Sequence, residues 1–276
     1  MTVPIAKKHL GQNFLKNKEI LNKIVGEESL SNFHIVEVWP GPGDLTAEIL
    51  SHKPSSLTLI EIDRDMIPLL ERRFGAETID IYIADVLSVD IREGRRTVSK
   101  KTGCSLSEKE KNIILPSYNL YGNIPYYITS PIIHHFFYEV SFLPQKAVFT
   151  MQKEVADRII ARDGKHSTLS ISCQLVATIK KVCDISPNNF IPVPKVWSTC
   201  LEFTIKSSLS KEKRKKIMRI VEQWFSQKRK KLISNLQNLY KKEDLESVFS
   251  SLNIPENTRA EDLSIEEWIS MADLLS

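Results

Sequence analysis

The chain has 276 residues, a net charge of +4 and 42% hydrophobic residues. That is ordinary globular composition, enough for one large domain and a small one. No apolar run nears the roughly 18 residues a membrane span needs. Cys104, Cys173, Cys183 and Cys200 lack CxxC spacing, so neither a zinc site nor a disulfide frame is expected.

The first strand is expected at His34 to Val38, followed by the turn Pro40-Gly41-Pro42-Gly43 and a helix carrying Leu45, Ile49 and Leu50. Leu57 to Ile62 reads as a second buried strand ending in Glu61-Ile62-Asp63. Asp63 or Asp65 would cap the next helix, which carries Ile67, Leu69, Leu70 and Phe74 with Pro68 in its first turn. Ile79 to Ile83 is a third strand, ending in Ala84-Asp85. Strands alternating with helices at this spacing predict an α/β fold with a parallel, doubly wound sheet. Arg92 to Asn112 is polar and aperiodic and reads as an exposed loop.

The apolar run through Tyr118, Leu120 and Tyr121 ends in Asn123-Ile124-Pro125-Tyr126. Ser130 then suits an N-cap with Pro131 at the first helical position, and Ile132, Ile133, Phe136, Phe137 and Val140 make a core-facing stripe. A strand over Lys146 to Met151, a helix over Gln152 to Arg162 and a last strand over Val196 to Ile205 follow. From Lys211 the pattern is helical: Ile217, Ile220, Val221, Trp224 and Phe225 form one stripe, continued by Leu232, Ile233, Leu236 and Leu239. Composition shifts to Ser and Lys near 206 to 210, dividing the chain into domains 1–206 and 207–276.

Charge is unevenly spread. Between Lys206 and Lys242 thirteen Lys/Arg face two acids, a local balance of +11; from Glu243 onward nine acids face Arg259, a balance of −8. The basic block, with Lys228, Arg229, Lys230 and Lys231 at its heart, is a candidate phosphate-binding face. A solvated helix surface is the plainer alternative.

Gly41, Gly43, Glu61, Asp85 and Asn123 all fall at expected strand ends, where doubly wound sheets bind ligands. A glycine turn after one strand and an acid twenty positions on, Glu61, form a mononucleotide-binding pattern that alone suits NAD equally. Three details favour S-adenosylmethionine. The turn lacks the glycine expected under a pyrophosphate. Asp85 could accept from an adenine amine. Asn123-Ile124-Pro125-Tyr126 sits where a methyl acceptor would face the cofactor. The Asn123 amide oxygen and a backbone carbonyl at Ile124 or Pro125 could accept both protons of an exocyclic amine, and Tyr126 could stack on the base. Such an amine needs orientation more than deprotonation, so neither a general base nor a metal is expected.

These motifs together resemble the ribosomal RNA adenine dimethyltransferase family, nearly end to end. His9 to Leu15 is similar to its GQNFL element and Leu59 to Asp65 to its acidic motif. Gly122 to Tyr126 matches its GNxPY element and Phe190 to Val196 its Pro-rich motif. Gln227 to Lys231 and Arg259 to Ser264 resemble C-terminal elements. The resemblance implies a Rossmann-like class I methyltransferase sheet with a small C-terminal helical domain. The implied reaction is dimethylation at N6 of two adjacent adenosines in the 3′-terminal hairpin of 16S rRNA. The implied setting is a cytoplasmic monomer acting on the assembling 30S subunit. It further implies that Asn13 and Leu15 close over the cofactor, Gly41 lines its methionine part, Glu61 its ribose and Asp85 its adenine, while Tyr126 and Phe190 sandwich the target base. Two alternatives stay open: a large-subunit rRNA adenine methylase, and a non-catalytic RNA-binding assembly factor. One position departs from the family: Trp39 stands where the first motif glycine belongs. A positive φ there, or close approach to the cofactor, would strain or crowd that site.

Overall fold

The computed structural model describes residues 5–75, 79–95, 104–105, 112–162, 164–206, 209–225, 236, 240–255 and 257–275. The chain divides into two units, Met1–Ala156 with Ile179–Ile205, and Asp157–Thr178 with Lys206–Ser276. The segment Asp157–Thr178 therefore groups with the C-terminal helices, although it precedes the boundary expected at 206. The Lys206 N–H donates to the Val176 carbonyl, which ties the two stretches of the second unit together.

In the first unit the elements are β1 (Phe14–Leu15), α1 (Lys18–Val25), β2 (His34–Val38), α2 (Asp44–Ser51), β3 (Ser56–Glu61), α3 (Ile67–Phe74), β4 (Ile79–Ile83), β5 (Asp90–Glu93), β6 (Cys104–Ser105), β7 (Asn112–Leu115), β8 (Asn119–Asn123), α4 (Thr129–His134) and β9 (Lys146–Gln152). After α5 (Lys153–Ile159) and α6 (Thr168–Val176) come β10 (Ala177–Ile185), β11 (Phe190–Ile191) and β12 (Ser198–Ile205). Eight strands form the main sheet in the order β10-β12-β9-β8-β2-β3-β4-β6. Neighbours from β9 to β6 run parallel, and β12 pairs antiparallel with β9. The α/β sheet expected from the alternation is thus present. Its central strand β2 reads His-Ile-Val-Glu-Val, with Ile35, Val36 and Val38 at 0% exposure. Such a run, without polar alternation, is what a strand covered on both faces requires.

Several local expectations change. At the two ends of the stretch read as a loop, β5 and β7 form a parallel ladder from Asp90↔Asn112 to Glu93↔Leu115; residues 96–103 and 106–111 lie outside the described residues. Ser130 does not cap α4. A 3-10 turn over Tyr126–Ile128 runs directly into the helix, so the backbone is already helical when it reaches Ser130. A five-residue π-helical turn, His135–Glu139, follows α4 and buries Phe136, Phe137 and Tyr138 together. The N-terminal elements passed over in the sequence are ordered by local chemistry: Asn17 caps α1 by accepting from the Glu19 and Ile20 N–H groups.

The second unit contains α6, α7 (Lys211–Phe225), α8 (Lys242–Ser251) and α9 (Ile265–Leu274). The apolar stripe of α7 is core, as its spacing demands: Trp224 is fully buried, 4.5 Å from Trp268 of α9 between ring centroids. A capping box between Ser264 and Glu267 starts α9. Lys228, Arg229, Lys230 and Lys231 lie outside the described residues, as do Leu232, Ile233 and Leu239.

Candidate active site

Strand order reverses at β2. The chain proceeds to β3 and β4 on one side, while β8 and β9 fill the other, so the carboxyl ends of β2 and β8 open a crevice at the switch point. Two adjoining hollows, both open to solvent, occupy it. The first is lined by Gly11 to Phe14, Trp39, Gly41, Glu61 and Asn123 to Tyr126. The second is lined by Leu15, Glu37, Pro40, Asp44, Thr150 and others. Phe14, Trp39 and Asn123 belong to both walls. Asn13, Gly41, Glu61, Asn123, Pro125 and Tyr126, expected from the sequence to share a site, therefore share one cavity; Leu15 faces its neighbour.

The acidic side of this crevice is built on backbone donors. Glu61, 1% exposed at the end of β3, accepts from the Gly41 N–H at 3.1 Å and the Asp63 N–H at 2.7 Å. Burial pushes its carboxyl up to about 7, against the pull of those two N–H groups. Gly41 has φ 54°, and a Cβ there would stand 2.9 Å from the Phe14 ring, so only glycine fits. Glu37, 1% exposed, accepts from the Thr46 hydroxyl at 2.7 Å; burial pushes it up to about 8. A buried carboxylate held by two main-chain N–H groups beside a glycine turn fits a ribose diol and its attached chain, so these residues suit an adenosyl cofactor.

Trp39 adopts φ 53°, the left-handed conformation anticipated for the displaced glycine. Its N–H donates to the Ile60 carbonyl at 3.1 Å, which fixes the backbone. For a non-glycine residue this conformation costs about 1–2 kcal/mol. Asp85 is exposed and caps a 3-10 turn, its Oδ1 accepting from the Leu87 N–H at 3.0 Å. It lines neither cavity, because β4 ends two residues earlier and the chain turns away.

The N-terminal segment reaches the crevice as a strand. β1 pairs with β11, placing Phe14 opposite Ile191 and Leu15 opposite Phe190. Asp63 anchors it: Lys7 Nζ lies 2.6 Å from Asp63 Oδ1, and Gln12 Nε2 donates to Oδ2 at 2.9 Å. Burial alone would raise the Asp63 carboxyl, but hydrogen bonds from Lys7, Gln12 and the Asp65 N–H outweigh it and hold it below the ordinary range. Sequence reasoning saw Asp63 only as a helix cap, and missed Gln12 because its partner is 51 positions away.

On the acceptor side, Asn123 donates Nδ2 to the Asn13 carbonyl at 2.7 Å, which leaves Oδ1 as the end free to accept. The Pro125 carbonyl already accepts from the Ile128 N–H at 3.1 Å, so the Ile124 carbonyl is the better second acceptor. Tyr126 is pinned by its phenol, 2.8 Å from the Ser198 hydroxyl; burial raises that phenol and the Ser198 bond partly offsets it. Gly122 was not singled out by the sequence as a residue with its own task. A Cβ there would stand 2.6 Å from Val38 Cγ2, so β8 can approach β2 only with glycine at this register. Phe190 stands opposite Leu15, is 1% exposed, belongs to the same core cluster as Leu21 and Ile24, and lines neither cavity.

The model of the ribosomal RNA adenine dimethylase family matches residues 5–276. The chain is 34% identical to the ribosomal RNA small subunit methyltransferase A of Mesomycoplasma hyopneumoniae, over 99% of this chain and 97% of that one. The protein of the same name from Mycoplasma mobile is 34% identical over 95% of both chains. The fold is similar to that of a dimethyladenosine transferase from Plasmodium falciparum, with TM-score 0.71 and 24% identity over 94% of this chain and 95% of that one. It is also similar to the 23S rRNA methyltransferase ErmE, with TM-score 0.69 and 21% identity over 95% and 99%. Matched by the family model from residue 5 to residue 276, and one-third identical to these named relatives along almost its whole length, the chain belongs to the ribosomal RNA adenine dimethylase family.

Proposed function

We propose that this protein dimethylates N6 of two adjacent adenosines in the 3′-terminal hairpin of 16S rRNA, in the cytoplasm, as a monomer acting on the assembling 30S subunit. The observation that carries it is the Asn123 amide, which lines the cavity with Tyr126 and whose nitrogen is committed to the Asn13 carbonyl, leaving the oxygen to accept. The names of the relatives support the small subunit as substrate.

S-adenosylmethionine supplies an electrophilic methyl group when bound. Glu61 would hold the ribose hydroxyls and the Gly41 turn would let the backbone approach the methionine part. Asn123 Oδ1 and the Ile124 carbonyl accept the two N–H bonds of the adenine amine. The amine lone pair is ordinarily delocalised into the ring; accepting both protons bends the nitrogen toward a tetrahedral shape and aims that pair at the methyl. Positioning at near-attack distance supplies most of the acceleration; the new C–N bond would replace the C–S bond of the cofactor, S-adenosylhomocysteine would leave, and the amine would lose a proton to solvent. Tyr126 offsets part of the cost of unstacking the target base. The monomethylated amine rotates and presents its remaining N–H for the second transfer.

Labelled methyl transfer to undermethylated small subunits tests this directly; label in large-subunit RNA alone would overturn the substrate. Trp39 favours a second reading, an assembly factor without chemistry, since its strained backbone lies between both cavities. RNA binding with no measurable cofactor binding would establish that second reading.

A further inference from the structure

We propose that Trp197 and Tyr127 form a stacking platform at the mouth of the acceptor cavity for the RNA base next to the one being methylated. This rests on the proposed RNA substrate. Trp197 is 51% exposed and Tyr127 61% exposed, more than any other Phe, Tyr or Trp among the described residues. A singly exposed ring is ordinary, but two on segments that meet in the acceptor wall offer a surface for a partner.

Their position ties them to the site. Tyr127 directly follows Tyr126, and Trp197 directly precedes Ser198, and the Tyr126 and Ser198 hydroxyls are 2.8 Å apart. Each exposed ring is thus one residue from a bonded pair in the acceptor wall. Both are held: the Trp197 carbonyl accepts from the Lys153 N–H at 2.9 Å, and the Tyr127 ring rests on Gly11, where a Cβ would stand 3.0 Å from it.

Charge selects the partner. Lys195 is exposed two residues before Trp197, and Lys8 is exposed on the turn that leads to Gly11. Neither has an acidic partner among the described residues. Rings flanked by unpaired cations suit a base flanked by phosphates. A substrate with two adjacent target adenosines necessarily presents a second purine beside the cavity whenever the first is inside it.

The test uses the full chain and a labelled hairpin RNA carrying two adjacent adenosines. Trp197→Ala should weaken hairpin binding roughly 5- to 100-fold, the range one base–aromatic stack supplies. Trp197→Phe should recover much of it, and cofactor affinity measured by calorimetry should stay within about twofold, which also shows that the variant folds. Replacing the neighbouring adenosine by an abasic nucleotide should erase the difference between the unaltered protein and Trp197→Ala. Equal binding by the two proteins, or an undiminished difference on the abasic hairpin, would overturn the platform while leaving methyl transfer in place. Failure of the unaltered protein to bind any hairpin would overturn the proposed function and the platform with it, as would a preference of both rings for an added peptide over RNA.

Discussion

Lowering the pH from 8 to 6 should weaken S-adenosylmethionine binding about tenfold through Glu61 alone. The ribose hydroxyls donate, so they favour the ionised carboxylate, whereas burial in the ligand-free protein holds Glu61 near 7. At pH 6 about nine-tenths of the molecules must therefore lose that proton before binding, and at pH 8 only about one-tenth. The affinity should rise through this interval, level off above pH 8, and be accompanied below pH 7 by release of up to one proton. Calorimetry at pH 6, 7 and 8, in two buffers of different ionisation enthalpy, measures both quantities. Glu61→Gln is the reference, because the cofactor's own amine titrates identically against either protein. A Glu61→Gln protein with the same pH slope as the unaltered one, or proton uptake on binding, would refute the assignment.

Asn123→Ala should abolish methyl transfer while cofactor affinity changes little; equal turnover would refute the amine-holding role. Trp39→Gly relieves about 1 kcal/mol of backbone strain and clears the wall between the cavities, so cofactor binding should tighten, and calorimetry showing no gain would dismiss crowding. Glu37 and Glu61 keep their protons in the folded protein up to about 8 and about 7, while the unfolded chain loses them near 4.5. Folding stability should therefore fall as pH rises from about 4.5 to about 8 and then level; urea midpoints at pH 5 and 8 should lie closer together in the Glu37→Gln protein, with Glu61 keeping the remaining gap. Neutralising Lys228, Arg229, Lys230 and Lys231 together should weaken RNA binding and flatten its salt dependence, since each lost phosphate contact lowers the slope by about one; an unchanged slope would leave them a solvated face.

Local signals carried the fold a long way. Buried runs such as Ile35 to Val38 and Leu57 to Glu61 have one solution, a covered parallel strand, and each ended where a functional side chain stands. Asn123, Glu61 and Gly41 were legible because residue type and strand-end position coincide. Phe190 was not, because its direction depends on which residue of a two-residue strand faces Leu15, a register set 175 positions away. For Asp85 the sequence locates the end of β4 but not the cap it makes on the 3-10 turn that follows. Gly122 and Gln12 act through single long-range contacts, with Val38 and Asp63, that leave no periodic trace.

A carboxamide has two chemically opposite ends of nearly identical shape, and only one of them can hold an amine. In this protein the choice between them is made by a single main-chain oxygen, that of Asn13, 110 positions earlier. The polarity of the acceptor pocket is thus a property of the N-terminal strand. A chain trimmed before β1 would keep its sheet and every side chain of the Asn123 motif. It would leave the amide free to rotate, presenting hydrogens to hydrogens for part of the time, a catalytic defect separate from the loss of the Lys7 and Gln12 bonds to Asp63.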